Sequence, residues 1–82
     1  MSKQIDEMVK AHLNQDRMPA AFIWRKRLYR VVNVLGWWRE PSEWWNGQAM
    51  RFFVLVNARN SAVGTYELYR IEEAWFLSKV LD

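Results

Sequence analysis

The sequence predicts an all-β domain: a small five-stranded antiparallel meander or partly closed barrel, with a short helix or flexible tail ahead of it. Three observations predict it. From Ala20 onward the hydrophobic period is two, and the residues are β-branched and aromatic. Turn residues interrupt that pattern at short, regular intervals. All the aromatics, six Trp, four Phe and three Tyr, lie between Phe22 and Phe76.

The elements follow in order. Residues 4–15 read as an amphipathic helix, because Ile5, Met8, Val9, His12 and Leu13 fall on one face of a 3.6-residue period. Ser2 is its candidate N-cap and Pro19 stops it. So short a helix is not stable alone in water, so it docks weakly or frays. The chain is therefore divided into a helical or flexible segment, 1–18, and a β domain, 19–82, expected to fold without it. Strands are predicted near 20–24, 28–37, 49–58, 64–71 and 74–81. Arg25-Lys26-Arg27 is too short a connection for anything but a hairpin. Asn46-Gly47 suits a tight turn with positive φ. Arg59 to Ala62 and Glu72-Glu73 supply the remaining turns.

Strand geometry constrains the tandem tryptophans. Successive side chains point to opposite faces, so in a one-sided sheet only one of Trp37 and Trp38 enters the core, and one of Trp44 and Trp45. Gly36 is a candidate bulge that would re-aim the first pair. Otherwise both pairs fold over a loop as a satellite cluster. Phe22 and Trp24 share a strand face, and Trp24 is expected to be a core residue.

Composition narrows the function classes. An apolar fraction of 51% with 26% charged residues excludes gross disorder. The longest apolar-leaning run, Phe52 to Val56, is strand length and far short of a membrane-spanning helix. The first twenty residues lack the apolar core of a secretory signal, and a cytoplasmic protein is expected. With no cysteine, neither disulfides nor thiolate metal sites are available. His12 is the single histidine, so no metal is expected. The carboxylate pairs Asp6-Glu7, Glu40/Glu43 and Glu72-Glu73 fall on turns or a helix surface, where nothing would raise a pKa for acid–base work. No serine stands in a nucleophile-elbow context, and no phosphate-cradling glycine loop is present. The expectation is a protein that is not an enzyme and holds no cofactor.

The binding signal is stronger. Between residues 21 and 59, Arg25, Lys26, Arg27, Arg30, Arg39, Arg51 and Arg59 face only Glu40 and Glu43. Interleaved with Trp24, Tyr29, Trp37, Trp38, Trp44 and Trp45, these bases fit a surface that tracks a phosphate backbone and stacks bases. The candidate binding residues are Arg25, Lys26, Arg27, Arg30, Trp37, Trp38, Arg39, Trp44, Trp45 and Arg51. The alternative is a protein–protein adaptor anchored by exposed Trp, since Trp and Arg dominate interface hot spots. The same charge excess is also compatible with an ordinary solvated sheet face.

The run from Pro19 to Val32, Trp38-Arg39-Glu40, Trp44-Trp45, Arg51 to Val56, Tyr66 to Arg70 and Trp75 to Asp82 together resemble a family. It is a small bacterial domain of unknown function, found stand-alone and appended to Y-family, translesion-type DNA polymerases. The resemblance covers about residues 19–82. It implies a link to DNA repair or replication with a polymerase-associated protein as partner, and it carries no catalytic residues; single-stranded DNA as partner is the expectation from the basic–aromatic middle. Where the family often has Gly in the first turn, this chain has Lys26, for which a positive φ is costlier.

Overall fold

The computed structural model describes residues 2–41 and 50–81. Six antiparallel strands close into one barrel in sequence order: β1 (Lys3–Leu13), β2 (Pro19–Trp24), β3 (Arg27–Glu40), β4 (Arg51–Arg59), β5 (Val63–Ile71) and β6 (Ala74–Leu81). The all-β barrel is as predicted, with six strands in place of five. No helix is present among the described residues, and so none long and apolar enough to cross a membrane.

The added strand is the segment predicted to be a helix. Residues 3–13 form β1, which pairs with β6 through Lys3–Val9 and with β2 through Lys10–Leu13, and so closes the barrel. A period of two does run through it: Ile5, Glu7, Val9 and Ala11 turn inward while Asp6, Met8, Lys10 and His12 are exposed. Two substitutions of type hide that period: a carboxylate at one inward position and an apolar Met8 at an outward one. Adjacent Met8-Val9 and His12-Leu13 then imitate a helical stripe. Two waiting strand edges decide the matter, because isolated helices of this length are marginal and every edge left open is a liability.

The other strands lie within a few residues of the expected bounds, and their turns explain the register. Arg25 and Lys26 form a two-residue hairpin with φ of 52° and 67°, the positive pair a type I′ turn requires. Asn60 to Ala62 joins β4 to β5, and Glu72-Glu73 joins β5 to β6 with Glu72 at φ 56°. On β3 the register shifts between Val31 and Asn33 and again between Val34 and Gly36. The second shift places a bulge beside Gly36, where it was expected.

Four of the ten residues buried in the core cluster are aromatic. Phe22 and Tyr29 are cross-strand partners with stacked rings 5.0 Å apart, and Tyr66 meets both edge-on. Val9, Val54, Val56, Leu68, Trp75 and Leu77 pack around them. Gly64 serves this core directly: a Cβ there would lie 3.0–3.2 Å from the Tyr66 ring, which covers the bare backbone two residues away. Three large rings thus do in a short chain what many aliphatic residues would otherwise have to do.

Candidate functional site

The barrel distributes the eight candidate residues that are described over separate places. Arg25, Lys26 and Arg27 sit at the β2–β3 hairpin tip, all exposed. There Glu7 of β1 accepts three hydrogen bonds: from Trp24 Nε1 (2.8 Å), Arg25 Nε (3.2 Å) and Arg25 Nη2 (2.7 Å). The Arg25 guanidinium also lies 4.7 Å over the Trp24 ring. Bonds first from Arg25 and then from Trp24 hold the Glu7 carboxyl below the usual carboxylate range. Arg25 is therefore already engaged in fastening β1 to the hairpin, which leaves Lys26 and Arg27 as this tip's outward cations. Trp24 is half-buried, on the same face as Phe22, as predicted.

Trp38 and Arg51 belong to the outer wall. Trp38, Phe53, Tyr69, Phe76 and Met8 are successive cross-strand partners from β3 round to β1. Their rings stack or tilt at 5.0–5.4 Å: Trp38 on Phe53, Phe53 on Tyr69, Tyr69 on Phe76. Arg51 lies 5.4 Å over Tyr69, and Trp38 Nε1 donates to Glu40 Oε2 at 2.8 Å. Burial, followed by the nearby Asp6 charge, pushes the Tyr69 hydroxyl pKa up. With Phe53 and Tyr69 buried, this band is packed structure and offers no free row of faces for bases.

The far end of β3 brings cations and aromatics together. Arg39, Phe52, Arg70 and Trp75 are successive cross-strand partners over β3, β4, β5 and β6, so they share one face. Arginine and aromatic alternate along this row. The Arg70 guanidinium lies 5.2 Å from the Phe52 ring and 5.9 Å from Trp75. Two rings hold the guanidinium at the barrel mouth, where its five N–H donors suit an anion. Trp37 leans on Phe52 at 5.7 Å and is 59% exposed, more than any other described aromatic. Beside the row lies a cleft of about 390 Å³ lined by Arg17, Arg70, Trp75, Ala11, Leu13, and the carboxylates Glu72 and Glu73. Twelve residues of β3 separate Arg39 from Arg27, roughly 30–40 Å of strand, so mouth and hairpin tip are distinct sites.

Arg30 occupies another part of the outer wall, opposite Arg59. Trp44 and Trp45 lie outside the described residues. The sequence reading missed Arg17 and Arg70 because neither stands in the basic stretch between residues 21 and 59. Arg70 had one legible signal: it precedes Trp75 across the Glu72-Glu73 turn at the spacing of hairpin partners. Among the described residues, no group of three or more His, Asp or Glu is placed to hold a metal ion.

A family model described as "Domain of unknown function (DUF6504)" matches residues 1–82. The match includes β1, which lay outside the resemblance drawn on residues 19–82. No curated protein and no solved structure matches the chain.

Proposed function

The chain belongs to the DUF6504 family, and we propose that it is a non-catalytic cytoplasmic module that binds single-stranded nucleic acid across the mouth of its barrel. The observation that carries this reading is that Arg39 and Arg70 stand at the barrel mouth with the exposed Trp37 ring beside them, while Phe52 and the buried Trp75 support the Arg70 guanidinium. Cations that track a backbone and an exposed ring that stacks a base are the two parts such a surface needs. Glu72 and Glu73 at the rim repel phosphate, so the strand enters from the Arg39 and Arg17 sides. The sequence resemblance to domains appended to Y-family polymerases supports a role in DNA repair or replication, beside a polymerase or a protein that travels with one.

The test is a titration of the full chain with a single-stranded oligonucleotide, following Trp fluorescence at two salt concentrations. Affinity should fall with salt at a slope of roughly −0.7 per phosphate contacted. Arg70→Gln should flatten that slope, whereas Trp37→Ala should cost about 1–3 kcal/mol with the slope unchanged. If the oligonucleotide leaves fluorescence and backbone NMR shifts untouched at low salt, the nucleic-acid reading is wrong.

One observation favours the second reading, a protein adaptor. Val32, Val34, Leu35 and Trp37 of β3 are all exposed along a stretch whose described pairing is to β4 alone. Adjacent exposed apolar residues on a strand are a feature of interaction surfaces. In that case NMR shifts on adding a polymerase-associated protein would map to β3 while single strands moved nothing.

A further inference from the structure

Arg30 and Arg59 are direct cross-strand partners on the outer wall, and both are exposed. Side chains so placed start about 4.5–5.5 Å apart at Cβ, and like charges there oppose each other. The rest of their row is Ala21 and His12 on one side and Val63 on the other. The next row is Lys10, Ile23 and Leu28. Neither row contains a carboxylate. Among the described residues the ion pair formed is that of Arg25 with Glu7, at the hairpin tip, and it involves neither arginine. Asn57, two residues from Arg59 on the same face, accepts from Thr65 Oγ1 through Oδ1 at 2.9 Å, which leaves its Nδ2 to donate.

Two exposed arginines anchored on opposite positions of paired strands can close their guanidiniums on one multivalent anion. Their planar forks match phosphate oxygens, and a phosphate between them converts repulsion into two charge-assisted contacts. We infer that Arg30 and Arg59, with the Asn57 amide beside them, form a phosphate-binding site on the β3–β4 outer wall. Lys10 extends its positive field. The site stands apart from the barrel mouth and does not depend on what the mouth binds. The phosphate comes either from a free phosphate or phosphomonoester, or from a nucleic-acid backbone crossing the wall.

The experiment uses the full chain in a phosphate-free buffer, with inorganic phosphate exchanged for chloride at constant ionic strength. The melting temperature of the parent chain should rise saturably, and NMR signals of the Arg30 and Arg59 Nε–H groups should shift. Arg59→Gln should abolish both responses. Arg59→Glu should also abolish them while raising the melting temperature in the absence of phosphate, because it replaces a repulsive pair with an attractive one. Trp37→Ala, which disables the mouth, should leave the phosphate response intact. A second arm adds a single-stranded oligonucleotide in place of phosphate. Arginine shifts with phosphate identify a free-phosphate or monoester site, and shifts with the oligonucleotide alone identify a backbone contact. If neither probe moves these signals, or if the phosphate response survives in Arg59→Gln, the inference is overturned.

Discussion

Removing residues 1–13 tests the barrel most directly, because β1 supplies the only edge that both β2 and β6 pair with. At about 0.05–0.15 kcal/mol per residue, a chain of 82 residues has a total stability of roughly 4–12 kcal/mol. The hydrogen bonds lost with β1 are largely offset by the ordering entropy its residues no longer lose, about 1–2 kcal/mol each. The decisive change is on the strands left behind. Phe22, Trp24, Trp75 and Leu77 all lose the cover of β1, where Ala11 partners Phe22, Glu7 partners Leu77 and bonds Trp24, and Val9 partners Trp75. Exposing half of each costs roughly 3–6 kcal/mol at about 1.5–3 kcal/mol for a full side chain. That removes about half of the margin at the midpoint of both ranges and opens two sheet edges to self-association. The expected outcome is a collapsed amide spectrum and no cooperative urea transition for residues 14–82. A dispersed β-sheet spectrum with a cooperative transition within about 1 kcal/mol of the full chain would refute the closed-barrel reasoning and restore the independent 19–82 domain.

Three further outcomes are expected. Trp24→Ala should lower the unfolding free energy by about 2–3 kcal/mol in urea titrations, below the full cost for a buried ring because Trp24 is half-buried. Lys26→Gly should stabilise the protein by about 1 kcal/mol, since Lys26 sits at φ 67°, and an unchanged or lower melting temperature would contradict this. Glu7 has a folded pKa below its unfolded one, so its contribution is present above the ordinary carboxylate range and is lost as pH falls through the lowered value. The acid limb of a stability–pH profile should therefore be shallower in Glu7→Gln than in the parent chain.

Most of the barrel was legible because β2 to β6 obey simple alternation and their turns carry polar residues at the right spacing. Phe22 and Trp24 were placed on one face by alternation, whereas Tyr29, grouped in the sequence with the binding aromatics, is instead buried against Phe22. β1 was not legible, since Glu7 occupies an inward position for a reason that only the Trp24 and Arg25 contacts disclose. The candidate site was partly legible. Arg39 and Trp37 were named, but their neighbours Arg70 and Trp75 come from β5 and β6, and only strand register brings them into one row. Arg30 was grouped with the hairpin tip. Its partner Arg59 lies across β3 and β4, but Lys10 and His12 join that wall only once β1 is a strand, so its full extent could not be seen while residues 4–15 read as a helix.

Closure through β1 and β6 also sets a schedule. Met8 partners Phe76 and Val9 partners Trp75, so the seam joins segments about as far apart in the chain as two strands can be. Loop-closure entropy must be overcome before those contacts give anything back, and non-local pairing of this kind slows folding. During synthesis β1 emerges early and must wait, unpaired along its first half, until β6 has cleared the ribosome. The β2–β3 hairpin, with its two-residue turn and its Phe22–Tyr29 stack, can form locally during that interval and present an edge to residues 10–13. The Glu7 bonds to Trp24 and Arg25 would then hold β1 against the hairpin, keeping its other edge ready for the last strand.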